Sequence, residues 1–307
     1  MPSPHASSPL PPSQAPDTPR PTSPAAGKRG YLTGDFRLFH LTDAGKREFE
    51  FHYHDFDKII IFLSGSVTYL IEGRSYELKP YDIVLVNHNE IHRPLIDIKV
   101  PYERIIVYLS PGFLAAYRTG DYDLSSCFEE ARRTRSHVLR MQNLQKRSLF
   151  QTIKRLETAS TEGGYADVLY CQVLFLEFLI LLNRTAKNQK LEYPDTPHSD
   201  SRILDMMDYI MEHLSEPLDI DQIAGQFHFS RYHLMRLFKQ ETGYTLGRYI
   251  TSKRLLAAKE LLGSGLPITE ICYRCGFQNY STFSRAYKAE FHECPRTTRS
   301  GEAPDSI

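Results

Sequence analysis

One short pattern occurs twice in the last third of the chain, at Ile220–Lys239 and again at Ile268–Lys288. Ile220 matches Ile268, Leu234 matches Phe283, and the second copy carries one extra residue in its turn. Each copy reads as a short helix, a tight turn and a second helix with one apolar and one basic face. That is the sequence form of a helix-turn-helix, whose second helix fits the major groove of DNA. Two copies in tandem predict two recognition helices that read successive groove segments from one polypeptide. A lone basic helical face is ordinarily just solvated, so the repetition with matched cations carries the reading.

In the first copy Asp219 fits an N-cap with Gln222 three residues on, the spacing of a capping box. Ile220, Ile223, Ala224 and Phe227 are expected to face inward, followed by Leu234, Leu237 and Phe238. His228 stands at the turn where Gly276 stands in the second copy. Such a turn asks for positive φ, which Gly takes freely and His more readily than most residues. Ser230 is expected to cap the first recognition helix and Asn279 the second. Arg231, Tyr232, Met235, Arg236 and Lys239 are left on the outer side. In the second copy Tyr280, Ser281, Thr282, Ser284, Arg285 and Lys288 are left there, with Phe283 and Tyr287 turned inward. With the two caps, these form the expected DNA-binding set. Arg236 and Arg285 are equivalent, and Arg is the usual bidentate partner of guanine. Lys239 and Lys288 also match and suit phosphate. Thr245–Leu262 is predicted to be one helix joining the two units, ended by Gly263-Ser-Gly265.

Charge supports local rather than global attraction. The 37 Lys and Arg are balanced by 37 Asp and Glu, so DNA binding must come from where the cations sit. The five cysteines (Cys127, Cys171, Cys272, Cys275 and Cys294) have no framework spacing. An odd, scattered set predicts reduced thiols and a cytoplasmic protein. Cys272 and Cys275 align with Ala224 and Phe227, which makes them expected core residues rather than a zinc or redox pair. The most apolar run, Val173–Leu182, is interrupted by Glu177 and falls short of the ~20 residues a bilayer requires, so no membrane partner is expected.

Composition divides the chain. Residues 1–28 are rich in Pro and Ser and are expected to be a disordered tail. Residues 29–114 read as β structure, with strands at Lys58–Leu63, Val67–Ile71, Ser75–Leu78, Ile83–Val86 and Tyr102–Leu109. Short strands between close turns predict a barrel or sandwich. Residues 115–187 read as helical. Leu144, Phe150, Ile153 and Leu156 mark one helix; Leu169, Val173, Leu176 and Ile180 mark a second, with Gly163-Gly164 between. So wide an apolar stripe must bury against the barrel and its neighbour helix, against a second copy, or both. Residues 188–200, with Pro194 and Pro197, read as a linker, 201–300 as the domain holding the repeat, and 301–307 as a tail. Ile203, Met206, Ile210, Met211 and Leu214 place a helix before Glu216-Pro217.

The C-terminal segment resembles the DNA-binding domain of the AraC/XylS family of bacterial transcription regulators. Phe238-Lys-Gln-Glu-Thr-Gly243, Tyr249, Arg254, Gly276-Phe277, Phe283-Ser-Arg285, Lys288 and Pro295 fall where that family's pattern puts them. The chain departs from it at His292, where the family usually has Gly, and at Thr298, where it usually has an aromatic. The N-terminal half is similar to the family's cupin-like sensor domain, through His52-Tyr-His54, Gly65, Gly73, Pro80-Tyr-Asp82 and Asn89-Glu-Ile-His92. The resemblance implies a multidomain α+β fold: a cupin-like β-barrel with following helices, then an all-α domain with two helix-turn-helix units. It implies that Tyr232, Met235, Arg236, Tyr280, Ser281 and Arg285 face bases. It also implies double-stranded promoter DNA, a small-molecule effector, a second copy in a homodimer and RNA polymerase as partners of an activator.

In metal cupins an HxH pair, a Glu and a later His hold the ion. Here His52, His54 and His92 are present and Lys58 takes the Glu position. A cation beside a cation costs Coulomb energy, so no metal and no cofactor is expected. His52, His54, Lys58, His92 and Arg93 are instead expected to meet an acidic or hydroxylated effector, unless the histidines are purely structural. No nucleophile setting is identifiable, and no catalytic residue is expected. The competing reading is a cupin metalloenzyme fused to a DNA-binding module. A third is an inert barrel on a constitutive DNA binder.

Overall fold

The computed structural model describes residues 32, 34–44, 49–134, 136–141, 143–144, 147–188 and 201–300. The two expected tails and residues 189–200 of the expected linker lie outside the described residues.

The N-terminal half contains strands β1 (Phe36–Asp43), β2 (Asp57–Ser64), β3 (Val67–Ile71), β4 (Arg74–Glu77), β5 (Ile83–Val86), β6 (His92–Ile96), β7 (Tyr102–Leu109) and β8 (Val138–Leu139). They form a five-stranded sheet, ordered β1-β7-β2-β5-β8, and a three-stranded sheet, ordered β4-β3-β6. β2 explains its own unbroken apolar sequence, because both of its faces are buried. Successive side chains on a strand point to opposite faces. Ile60 and Phe62, with Val84 and Ile106, pack toward Val67, Tyr69 and Ile71 of the small sheet. Ile59 and Ile61, with Leu85 and Ile105, pack toward the helices.

The five strands read from sequence are present, and β1, β6 and β8 are additional. β1 is mostly half-buried or exposed, so its residues do not alternate in polarity. β6 carries His92, Arg93 and Pro94, which mask its pattern. β8 comes from within the 115–187 stretch and pairs with β5, Ile83 facing Leu139. The chain of the helical stretch therefore completes one edge of the large sheet.

Helices α1 (Pro111–Ala116), α2 (Ser126–Thr134), α3 (Ser148–Glu162) and α4 (Asp167–Asn188) cover that sheet. Leu174, Phe175, Phe178, Leu179 and Leu182 of α4 are buried with Ile153 and Leu156 of α3. Each such side chain contributes about 1.5–3 kcal/mol when fully removed from water. Val168, Leu169, Tyr170, Val173 and Ile180 remain exposed on α4. By length and composition α4 could cross a membrane; here its inner face belongs to the core.

The C-terminal half is helical: α5 (Ser201–Glu212), α6 (Ile220–Gln226), α7 (Arg231–Thr242), α8 (Leu246–Leu261), α9 (Ile268–Arg274), α10 (Tyr280–Phe291) and α11 (Pro295–Ser300). One core joins α5, α6, α7 and the start of α8 through Ile203, Ile223, Leu234, Phe238 and Tyr249. A second joins the end of α8 to α9 and α10 through Ala258, Cys272, Cys275, Phe283 and Tyr287. The single helix α8 thus spaces the two units.

The first core also takes in Phe51 and Ile91 from the barrel half. Gly243 ends α7 in the left-handed conformation, φ 75°, and a Cβ there would collide with the Phe51 ring. The barrel half is seated against the first helix-turn-helix.

Candidate nucleic-acid interface and sensor cluster

The first unit is set by its caps. Asp219 Oδ1 accepts from the amides of Asp221 at 2.9 Å and Gln222 at 3.0 Å, starting α6. The chain reverses at His228, φ 59°. Ser230 Oγ then accepts from His233 N at 3.3 Å and starts α7. Leu234 and Phe238 are fully buried, while Ile220, Phe227 and Leu237 are only half-buried at the edge of that core. On the opposite face Tyr232 is 79% exposed and Met235 38%. Ser230, Arg231, Arg236 and Lys239 are exposed beside them. Arg231 Nη1 lies 2.5 Å from Asp221 Oδ2, an exposed pair that water and salt screen. His233 is also exposed on the first turn of α7, and the sequence reading left it out. Its place one residue before the buried Leu234 was the available signal.

The second unit repeats this geometry with a turn one residue longer. Gly276 has φ 81°, and a Cβ on it would lie 2.5 Å from Leu214 O and 2.8 Å from Arg254 Nε. Arg254 is held there by donating to Leu214 O at 2.8 Å and Glu216 O at 2.6 Å. The two turns share a backbone conformation but not surroundings: His228 is exposed, and Gly276 packs on the chain just after α5 and on Arg254 of α8. Asn279 Oδ1 accepts from Thr282 N at 2.8 Å and starts α10. Phe283 and Tyr287 are fully buried. Asn279, Ser281, Thr282, Arg285 and Lys288 are exposed, while Tyr280 and Ser284 are half-buried. Gln278, just before the cap, is exposed and was also missed.

The two departures from the family pattern have local accounts. His292 takes the left-handed C-cap of α10, φ 61°, where Gly would be easier. Thr298 is met by the Tyr287 hydroxyl at 3.1 Å. Cys272 and Cys275 lie in the second core, and burial pushes the Cys275 thiol up to about 11. A thiol held protonated is a poor zinc ligand or redox group.

In the barrel, His52, His54 and His92 come together with ligand nitrogens within 4.8 Å of one another. Side-chain burial is nearly complete: His52 is 5% exposed, His54 4%, Lys58 7% and His92 0%. His52 Nδ1 pairs with Glu50 O at 2.7 Å and His92 Nδ1 with Glu90 O at 2.9 Å. Lys58 Nζ donates to the Tyr69 hydroxyl at 3.3 Å and lies over the Tyr108 ring. Burial, helped by nearby Arg104, pushes the Lys58 amine down to about 7. Burial, Lys58 and the other two histidines hold His92 well below the usual imidazole range. Three clustered imidazoles could bind a transition ion, but Lys58 supplies no carboxylate. Arg93 does not join them. It points to the other face of β6, stacks on Phe51 at 4.3 Å and lines a separate groove with Glu50 and Thr68.

The two halves meet at the β3–β4 turn. Glu72 accepts from Ile91 N at 2.7 Å, from the Tyr249 hydroxyl at 2.9 Å and from Lys253 Nζ at 2.5 Å. Tyr53 donates to Glu290 of α10 at 2.8 Å, and Asn89 to Glu260 of α8 at 3.0 Å. Glu72 lies between the strands read at Val67–Ile71 and Ser75–Leu78, and no local pattern marks it, because two of its partners lie in the other half of the chain.

Comparison with known proteins agrees with this division. Residues 37–179 match the AraC-like ligand binding domain, and residues 223–301 match a helix-turn-helix domain. The transcriptional activator RhaS of Escherichia coli strain K12 is 27% identical over 266 residues, covering 83% of this chain and 88% of RhaS. An AraC-type DNA-binding domain from Chromobacterium violaceum is 32% identical, covers 34% of this chain and 96% of its own, and has a TM-score of 0.32. ToxT of Vibrio cholerae is 18% identical over 87% of this chain and 98% of its own, with a TM-score of 0.34. With a sensor-type domain followed by paired helix-turn-helix units, the chain is a DNA-binding transcription regulator and belongs to the AraC/XylS family.

Proposed function

We propose that this regulator reads promoter DNA with α7 and α10 in successive major grooves and activates transcription in response to a small molecule. The carrying observation is the equivalence of two capped helices whose outer faces both present Arg and Lys, Arg236 with Lys239 and Arg285 with Lys288. On this reading Tyr232, Met235, Arg236, Tyr280, Ser281 and Arg285 meet bases. Ser230, Arg231, Lys239, Asn279, Thr282, Ser284 and Lys288 position the helices on phosphate.

The relative RhaS is named a transcriptional activator, which favours activation and contact with RNA polymerase. The exposed apolar face of α4 (Val168, Leu169, Val173) supports a homodimer. A cytoplasmic location follows from DNA as the partner. An effector works only if it prefers one arrangement of the two halves, since a ligand with equal affinity for both shifts nothing. The buried set His52, His54, Lys58 and His92 would need to open to admit one. Lys58, standing where a metal cupin has its Glu, argues against the metalloenzyme alternative, and stoichiometric Fe or Mn with turnover would be required to restore it.

The test is a footprint of the full chain on DNA flanking its own gene, at fixed salt because salt sets non-specific binding. Protection of two adjacent major-groove segments on one face of the duplex supports the proposal. Diffuse binding that disappears as salt rises, on every DNA tried, sinks it.

A further inference from the structure

The segment from Phe51 to Phe56 faces two ways. It pairs with the start of β6 through two backbone hydrogen bonds between His52 and His92, 3.1 and 2.9 Å long. Successive side chains of an extended segment point in opposite directions. The even residues turn into the barrel. The His52 ring lies 4.5 Å from that of His92, and the His54 ring is stacked on Phe56 at 4.5 Å. The odd residues turn to the other half of the chain, and they reach both helix-turn-helix units. Phe51 is built into the core of the first unit, against the left-handed Gly243 that ends α7. Tyr53 is 1% exposed, and its hydroxyl donates at 2.8 Å to Glu290 of α10, in the second unit. Asp55 lies 4.0 Å from Lys259 of α8, the helix between them. Glu72 grips α8 alone; this one stretch touches the end of α7, α8 and α10.

We propose that residues 51–55 form a strap that couples the buried histidine cluster to the spacing of the two recognition helices. Phe51 and Tyr53 are two residues apart on one backbone, about 7 Å in an extended chain. Units seated on them cannot separate without giving up one of the two contacts. His52 and His54 share that backbone, so a rearrangement of the cluster that moves their rings also moves both seats. Packed interiors pass between discrete arrangements rather than bend smoothly, which makes such a shift a switch. In the seated arrangement Arg236, Lys239, Arg285 and Lys288 are all exposed, so the strap does not compete with DNA. Instead it keeps α10 in place once α7 is bound and raises the effective concentration of the second unit at its groove. The proposal rests on the reading of α7 and α10 as DNA-binding helices.

The experiment uses the full chain on two DNAs, the footprinted site and the same site with the segment read by α10 scrambled. Tyr53→Phe removes only the hydroxyl that reaches Glu290. It is expected to weaken binding to the intact site about tenfold and to the scrambled site by less than about twofold, because only the first depends on holding two units together. Glu290→Ala is expected to match it, and Glu290→Gln, which leaves an oxygen for the hydroxyl, to restore most of the affinity. His54→Asn changes the inner face alone. It is expected to weaken binding to the intact site only, and adding it to Tyr53→Phe should cost nothing further, since both act through one segment. Each variant is compared between the two DNAs, so a loss of folded protein lowers both alike. Equal losses on both DNAs make Tyr53 a residue of stability only and overturn the proposal. So does an unchanged affinity for Tyr53→Phe, or additive losses for His54→Asn and Tyr53→Phe. Footprinting of the unsubstituted chain tests the regulator reading separately: two protected segments with no effect of Tyr53→Phe sink only the strap, whereas diffuse binding sinks both.

Discussion

Glu72 and Lys253 are 181 positions apart in sequence, yet their charged atoms lie 2.5 Å apart at the junction of the two halves. Both side chains are largely buried, 18% and 9% exposed, so the pair is shielded from salt. Glu72 itself sits at φ 45°, an uncommon place for a residue with a side chain. A strained turn is kept where surrounding contacts over-determine it, and here three donors from two halves converge on one carboxylate. The pair works as a latch between the sensor half and α8, the helix that spaces the two DNA-reading units.

Breaking the latch should be costly from either side. Glu72→Ala leaves Lys253 buried without its anion and is expected to lower stability by about 3 kcal/mol. Replacing both, Glu72→Ala with Lys253→Met, removes the stranded charge and should cost less than the two single changes combined. Urea unfolding of the four proteins measures this coupling. Strict additivity would mean that the two groups do not depend on each other.

The two turns offer an internal comparison. Gly276→Ala adds a methyl at φ 81° against Leu214 O and Arg254, both fixed by hydrogen bonds. It is expected to destabilise by about 1–3 kcal/mol. His228→Gly, at an exposed turn with φ 59°, should be neutral or stabilising by up to about 1 kcal/mol. Chemical denaturation of both variants checks the contrast. Equal and small effects would show that the second turn is free to move away from α8.

The recognition helices predict two kinds of DNA variant. Arg236→Ala or Arg285→Ala should each cost about 1–3 kcal/mol on the cognate site and relax sequence preference at one position. Lys239→Ala or Lys288→Ala should weaken binding to all sequences alike and reduce the slope of log K against log salt by about 1. Binding titrations at several salt concentrations, on cognate and scrambled DNA, separate the two behaviours. A uniform loss for Arg236→Ala would reassign it to the backbone.

The repeat made the DNA-reading half legible in sequence. Matching cations, cap residues and turn positions fall at fixed offsets, and Asp219, Ser230, Asn279 and His228 take the conformations their types suggested. The barrel was legible in its central strands, where burial forces long apolar runs. It was not legible at β1, β6 and β8, whose residues are half-exposed, polar or too few to show a period. Arg93 was grouped with His92 by nearness in sequence, although adjacent strand residues face opposite ways. The interdomain contacts could not be read at all, because Glu72, Phe51 and Tyr53 meet partners that no local pattern names.

Lys58 gives a prediction whose sign depends on pH. Its amine is pushed from an ordinary 10.5 to about 7 in the folded chain, chiefly by burial. Between those two values the unfolded chain binds a proton that the folded chain does not, so stability rises with pH across that window. Below about pH 7 the folded chain must hold the charged amine in the barrel, and the destabilisation is present in full. Above 10.5 both states are neutral at this group and the effect vanishes. Lys58→Met fills similar volume without a charge. It should therefore raise the melting temperature most at pH 6–7 and progressively less toward pH 10. Melting curves of both proteins between those limits check it through their difference, which cancels titrations common to both. A gain that is constant with pH would mean that Lys58 acts through packing alone. A loss at low pH would mean that the charged amine has an anionic partner in the barrel.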